Sequence, residues 1–124
     1  DSGESISRIL SRKNIHKKTF DEASIKKLEE IAGAVDYAYE VMIANLKSAH
    51  KGELNEISNA YNAEDRINNL RDYYRDTEIE DLDRNGKNYQ TSVYFMDVIS
   101  EFEKMGDFMI NISQTLERSF ILNR

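Results

Sequence analysis

Glu103 and Asp107, two carboxylates one helical turn apart, are the residues of this 124-residue chain whose types and spacing point most clearly to chemistry. On a helix they stack on one face. Gly106 lies between them, where alanine would favour an isolated helix by about 1 kcal/mol. Paired carboxylates can bind a cation or carry out acid–base work, so this segment is the first candidate for a functional site. The structural alternative is a solvated acidic face, with Gly106 allowing a neighbouring helix to approach.

A second acidic position, Glu64, falls inside a predicted inward-facing helical stripe, and Asn68 follows it by one turn. A buried unpaired carboxylate costs several kcal/mol, so Glu64 requires a partner. Arg71 or a neighbouring polar side chain is the structural choice, and a cation is the functional one. Neighbouring antiparallel helices would bring Glu64 and Asn68 close to Glu103 and Asp107. Such a cluster of oxygen donors suits a hard cation or, with carboxylates alone, Fe or Mn.

The elements that position these residues are predicted to be helices throughout. The chain has no proline, five glycines and 32% charged residues, with apolar residues recurring at helical spacing. We predict helices over residues 20–49 and 53–82, and a third from Asn88 or Thr91 to Leu116. A capping box of Thr19 and Glu22 would start the first helix and Gly52 would end it. The fold class is therefore all-α, an antiparallel three-helix bundle, and the sequence leaves its handedness open.

The predicted core follows from the same periodicity. The residues predicted to face inward are Leu28, Ile31, Ala32, Val35, Ala38, Tyr39, Met42 and Leu46 in the first helix, Ile57, Ala60, Tyr61, Ile67, Leu70 and Tyr74 in the second, and Phe95, Val98, Phe102, Met105, Met109, Ile112 and Leu116 in the third.

Residues 1–18 are set apart from the bundle domain, residues 19–124. The segment carries five basic and two acidic residues, and Ile6, Ile9 and Leu10 can form one face of a short additional N-terminal helix lying against the bundle. Its opening, DSGESISRIL, can be laid over DFMINISQTL of the third helix, either as the end of a preceding duplicated half or by coincidence. Because the sequence begins without Met, we expect it to be part of a longer protein.

Composition argues against several classes of function. The net charge of −6 disfavours nucleic acid as a partner, and the absence of cysteine removes disulfide and thiolate chemistry. We find no Ser–His pair at a plausible position, no glycine-rich phosphate loop and no apolar run long enough to span a bilayer. His16 and His50 are expected to be solvated. We therefore predict that the domain is not an enzyme and has no small-molecule substrate.

Two segments carry a resemblance to a known family. EFEKMGDFMINI resembles the signature helix of PhoU-type domains, typically L-E-R-I-G-D-H-A-x-N-I. AEDRINNLRDYYRDTEIEDL resembles the family's second-helix motif, with Glu64 as its acid and Asn68 where Asp is usual. Lys104 and Phe108 replace the family's Arg and His. The other matching positions are Phe102, Glu103, Met105, Gly106, Asp107, Asn111 and Ile112. The resemblance covers roughly residues 20–116.

The resemblance implies a function and a cofactor. PhoU-like domains occur as stand-alone regulators of phosphate uptake and as tails of bacterial sodium/phosphate cotransporters, and some members bind iron or zinc clusters. It implies a divalent cation, Fe, Zn or another, at Glu103, Asp107, Glu64 and Asn68, weakened by the Asp-to-Asn change. Our leading expectation is a cytoplasmic regulatory domain of an inner-membrane sodium/phosphate cotransporter. It would act by contacting the transporter portion of the same chain, with homo-oligomers left open. The alternatives are a stand-alone phosphate-signalling regulator and a generic helical interaction module.

Overall fold

Three antiparallel helices make up the domain. The computed structural model describes residues 20–54, 56–85 and 88–122. They form α1 (Glu22–His50), α2 (Ser58–Asn85) and α3 (Tyr89–Leu122), and these ranges contain no β-strand. Every pair of helices is in contact. The all-α three-helix prediction is confirmed, whereas the additional N-terminal helix falls on residues 1–13, outside the described ranges.

Hydrogen bonds at the two ends of the bundle show its up-down-up order. Ser92, near the start of α3, donates to Glu78 near the end of α2 at 2.6 Å. At the opposite end, Tyr61 near the start of α2 donates to Glu117 near the end of α3 at 3.2 Å. The α2 helix therefore runs opposite to α3, and the residues in the middle of each helix face one another.

The α1 helix begins two residues later than predicted. Asp21, not Thr19, is its N-cap, and its carboxylate accepts a hydrogen bond of 2.7 Å from the Ser24 amide. At the other end Gly52 has φ +73°, a conformation that glycine adopts without steric cost. The amide of Glu53 then closes onto the Ser48 carbonyl at 2.8 Å, ending the helix as Gly52 predicted.

The α2 helix begins five residues later than predicted, at Ser58, and α3 ends six residues later than predicted, at Leu122. The sequence predicts that α2 opens at residue 53. The described residues between that position and Ser58 are Glu53, Leu54, Glu56 and Ile57, and they are not helical. Leu54 and Ile57 are buried there and pack into an apolar cluster with Val41, Ala60 and Ile110. Burying these two side chains across the end of the bundle outweighs the helical propensity of the segment.

The main core lies along the centre of the bundle and confirms most of the predicted inward residues, among them Ile31, Val35, Ile67, Phe95 and Phe102. Three predictions were wrong, because Tyr39, Leu46 and Met105 are 40%, 38% and 39% exposed. Each helix touches two neighbours, so its buried face is wide and includes positions that apolar spacing did not select. These are Ser24, Ala34, Val41, Asn45, Ala63, Glu78, Ser92, Ile99, Gly106, Ile110 and Ser113.

Candidate functional site

The four predicted site residues lie along the contact between α2 and α3. Glu64 and Asn68 are half-buried on α2, Glu103 is half-buried on α3, and Asp107 is exposed one turn further along α3. The antiparallel packing brings the two pairs towards each other, with Glu64 near Asp107 and Asn68 near Glu103. We call these four residues together with Arg71 and Arg75 the polar seam.

Arg71 is the centre of the polar seam. Its guanidinium donates to the Asn68 side-chain oxygen at 3.2 Å and to the Glu103 carboxylate in a short ion pair, and it also contacts Asp72 at 2.9 Å. Arg75 approaches Glu103 from the next turn at 3.6 Å. The predicted structural partner of Arg71 was Glu64 on its own helix. The ion pair instead crosses to α3, where the guanidinium reaches a half-buried carboxylate, and Glu64 has the side chain of Asn68 as its hydrogen-bond partner, one of the alternatives predicted for it.

Two groups of the seam have perturbed ionisation. Burial raises the pKa of Glu64 above its ordinary value, and the nearby charge of Asp107 raises it further. A hydrogen bond from Asn68 and the charge of Arg71 act in the opposite direction but do not cancel the rise. Burial alone would lower the pKa of Arg71, but its hydrogen bond to Asp72 and the charge of Glu103 raise it. The fold therefore disfavours the charged form of Glu64.

Gly106 is explained by the approach of α2. It is buried, and a Cβ built on it would lie 3.3 Å from Ile67 Cδ1 and 3.5 Å from Ile67 Cγ2. Beside this contact is a small cavity of about 10 Å³, lined by residues of all three helices that include Glu64, Gly106 and Ser113. The missing side chain lets α2 and α3 approach closely, which was the structural explanation predicted for Gly106. Glu64 therefore lies against a close-packed interior.

The predicted cation site requires a rearrangement of this seam. Arg71 engages both Glu103 and Asn68, and Arg75 also approaches Glu103, which leaves Glu64 and Asp107 as the remaining donors. Within residues 20–54, 56–85 and 88–122, no three His, Cys, Asp or Glu side chains are grouped so as to hold a metal ion. The four residues as they stand therefore do not fit a four-ligand site, because the Arg71 guanidinium holds two of them. Metal binding stays a prediction.

Sequence reasoning missed two further polar contacts between helices. Glu78 is almost fully buried on α2 and accepts the hydrogen bond from Ser92. Tyr74 donates to Glu30 of α1 in a short hydrogen bond, and Lys27 lies 5.9 Å from the centre of the Tyr74 ring. Glu78 follows Tyr74 by four residues and so continues the inward stripe, which is the signal that could have identified it. All these acids take protein partners, as the bundle interior requires.

The contact between α3 and α1 is not closed along its whole length. A groove of about 360 Å³ lies between α1 and α3, which we call the α1–α3 groove. Its lining residues are Val35, Tyr39, Met42, Glu101, Lys104, Met105, Phe108 and Met109. Phe108, which stands in the EFEKMGDFMINI segment described above, is 65% exposed. One feature of the sequence could have indicated this surface: an aromatic residue, Phe108, stands where the PhoU-type pattern that the segment resembles has His.

Comparisons of the chain with protein-family models, with curated proteins and with solved structures find no match. In the part of the chain that the structure describes, no helix is both long and apolar enough to cross a membrane.

Proposed function

We propose that this domain is a regulatory module that acts by presenting the outer face of α3 to a protein partner. The observation that carries the proposal is the composition of that face within the signature segment. Asp107 and Phe108 stand side by side and exposed, and Met105 is also partly exposed. Packing accounts for Gly106 and the Arg71 ion pair accounts for Glu103, but neither accounts for this pair. Exposed aromatic residues and methionines such as Phe108 and Met105 are enriched at protein contact surfaces, and an acidic neighbour such as Asp107 is typical of their polar rim.

We further propose that the regulated system is bacterial phosphate uptake through a sodium-dependent cotransporter. This step rests on the resemblance of the segments around Glu64 and Glu103 to PhoU-type domains, and the three-helix arrangement is compatible with it. In this proposal the domain lies on the cytoplasmic side of the inner membrane and contacts the transporter portion of its own chain.

The test is to delete residues 1–124 from the protein as its host encodes it and to measure uptake of radiolabelled phosphate at low and high phosphate supply. We expect the membrane portion to remain inserted and the response of uptake to phosphate supply to change. A gene that encodes no transmembrane segment would favour the stand-alone regulator. A transporter whose uptake is identical without the domain would contradict the regulatory proposal and leave a generic interaction module.

A cation at the polar seam is tested separately. If a cation binds, Glu103 and Asp107 would be its main ligands and Glu64 and Asn68 the lesser ones, and Glu103 would have to be released from Arg71. Protein purified without chelator should contain Fe, Zn or another divalent metal, and the Glu103→Gln/Asp107→Asn variant should contain less. Equal metal content in the two proteins would remove the seam from consideration.

A further inference from the structure

A small cavity of about 10 Å³ lies beside the contact of Gly106 with Ile67, where all three helices meet. Its polar side chains come from two helices, Glu64 from α2 and Ser113 from α3. A space of this size is just sufficient for one water molecule, and water stays in such a space only where polar groups bind it. The remaining lining residues are Ala38, Ala60, Ile67, Gly106, Met109 and Ile110.

Ser113 is a buried polar residue that the packing leaves without a protein partner. Elsewhere in the bundle, Asn45 exchanges hydrogen bonds with Asn59, and Glu78 accepts one from Ser92. Ser113 is only 1% exposed, yet its hydroxyl makes no hydrogen bond to any residue that the structure describes. A buried hydroxyl is rarely left in this state, because folding removes the hydrogen bonds that it makes to water in the unfolded chain.

The hydroxyl of Ser113 is open to the cavity. Among the described residues, every buried side-chain nitrogen or oxygen that is sealed from water has a hydrogen-bond partner. The Ser113 Oγ has none, so the small exposed area of this residue must include Oγ, and the cavity is the space that the residue lines. Thr115, two residues further along α3, instead donates to the main-chain oxygen of Asn111 at 2.9 Å. Ser113 makes no such bond to its own helix, so its hydroxyl is available to a molecule in the cavity.

Glu64 provides the second polar group of the cavity. Its carboxylate interacts with the side chain of Asn68 in one hydrogen bond, and a carboxylate has about four lone-pair sites, so acceptor capacity remains. Within the cavity, one carboxylate and one hydroxyl are too few oxygen ligands for a hard cation, which takes about six. They are sufficient for a water molecule, which makes about two to four hydrogen bonds in a protein interior.

We propose that this cavity binds one water molecule, which accepts a hydrogen bond from the Ser113 hydroxyl and donates one to the Glu64 carboxylate. The water gives Ser113 the partner that the protein does not provide, and it hydrates Glu64 from the interior of the bundle. It also links α2 to α3 beside the point where Gly106 allows the two helices to approach. This site goes beyond the regulatory function proposed above and does not depend on it.

The alanines allow a direct test in the full chain. Ala38 and Ala60 line the cavity, whereas Ala34 and Ala63 are also buried but do not line it and serve as internal controls. With ¹³C-methyl alanine, cross-peaks to water are measured in nuclear and rotating-frame Overhauser spectra. A held water tumbles with the protein, so we expect cross-peaks of opposite sign in the two spectra at Ala38 and Ala60, and none at Ala34 and Ala63. Absence of cross-peaks at both cavity alanines would overturn the proposal.

Three controls identify the source of the cross-peaks. Ser113→Ala removes one of the two polar groups, and we expect both cross-peaks to be lost while circular dichroism shows the helices unchanged. Ala60→Val keeps Ser113 but fills the cavity, so the cross-peak at Ala38 should also be lost. Its persistence would identify the exchanging Ser113 hydroxyl proton as the source and would overturn the proposal. Ala38→Val, followed at Ala60, serves the same purpose if Ala60→Val does not fold.

The third control distinguishes a water from a hydrated metal ion. The natural chain is dialysed against a chelator in a buffer whose only cation is tetramethylammonium, which is too large for a cavity of about 10 Å³. We expect the cross-peaks at Ala38 and Ala60 to be unchanged. Their loss on dialysis and their return with sodium, potassium or a divalent metal would show that an ion occupies the cavity, and would overturn the assignment of water.

Discussion

The two faces of α3 differ in how completely the fold uses them. Towards α2, the helix is closed by the contact of Gly106 with Ile67 and by the ion pair of Glu103 with Arg71. Towards α1, it leaves an open apolar groove beside Phe108. Gly106 and Glu103, whose types and spacing suggested a functional site, are thus used to hold α2 and α3 together. The residues that packing does not use lie on the outer and α1-facing side.

This difference decides which residues of the EFEKMGDFMINI segment can support a functional claim. The mid-helix glycine and one of the two carboxylates, each unfavourable for an isolated helix, have structural explanations at the α2 contact. Asp107 has no such explanation, and its charge raises the pKa of Glu64 instead of stabilising a partner. The functional claim therefore rests on Asp107 and on the exposed side chains beside it, not on the whole motif. Four substitutions test this division, from the largest expected effect to the smallest.

The closed face should be intolerant of volume at position 106. We expect Gly106→Val to lower the free energy of unfolding by about 1–3 kcal/mol, because its side chain has no space against Ile67. Urea unfolding followed by circular dichroism measures this. Gly106→Ala is the milder control. Adding Ile67→Val should make the alanine better tolerated, because it removes the Cδ1 atom that would lie 3.3 Å from the new Cβ. If Gly106→Val unfolds like the natural chain, the close contact is not formed.

The ion pair should contribute next. We expect Arg71→Met to cost about 1–2 kcal/mol, because the half-buried Glu103 loses a charged hydrogen bond while the apolar stem is kept. Arg75→Met is the matched control. The Arg75 side chain is 37% exposed against 17% for Arg71, so we expect a smaller loss there. Equal losses in the two variants would contradict the central position that we assign to Arg71.

Glu64 should show the opposite sign. Because its pKa is raised in the folded state, the fold favours the neutral side chain, and the stability that protonation brings is lost as the pH rises through the folded pKa. We expect Glu64→Gln to have a higher melting temperature than the natural chain at pH 7. The difference should shrink as the pH falls towards 4.5, the ordinary value.

Asp107→Asn provides the control for this prediction. It removes one cause of the raised pKa, so the benefit of Glu64→Gln should be smaller in that background. A lower melting temperature of Glu64→Gln at pH 7 would instead indicate a favourable partner for the charged form, as a bound cation requires.

The open face should matter least for stability. We expect Phe108→Ser to change the free energy of unfolding by no more than about 0.5 kcal/mol, because the side chain is already 65% exposed. The same substitution should alter the phosphate response of uptake in the host if this face contacts the partner. Phe102→Ser, at a buried position on the same helix, is the contrasting variant and should destabilise strongly. A large stability loss in Phe108→Ser would mean that the groove side belongs to the core.

Much of this architecture could be predicted from the sequence because its causes are local. The absence of proline and the apolar periodicity predicted three helices, and Gly52 predicted the end of α1. Asn88 was one of two candidates for the start of α3, and its side-chain oxygen accepts a hydrogen bond of 3.0 Å from the Thr91 amide. The approach of Glu64 and Asn68 to Glu103 and Asp107 could also be anticipated, since antiparallel helices of similar length face each other at their middles.

The remaining features depended on the tertiary structure. Leu54 and Ile57 delay α2 because they fill the end of the bundle, and Arg71 crosses to Glu103 because the register between helices places a carboxylate there. Periodicity gives the direction of a stripe along one helix but not the angle at which two neighbours cover it. That angle decided that Met105 faces the open groove while Gly106, the next residue, is buried against α2.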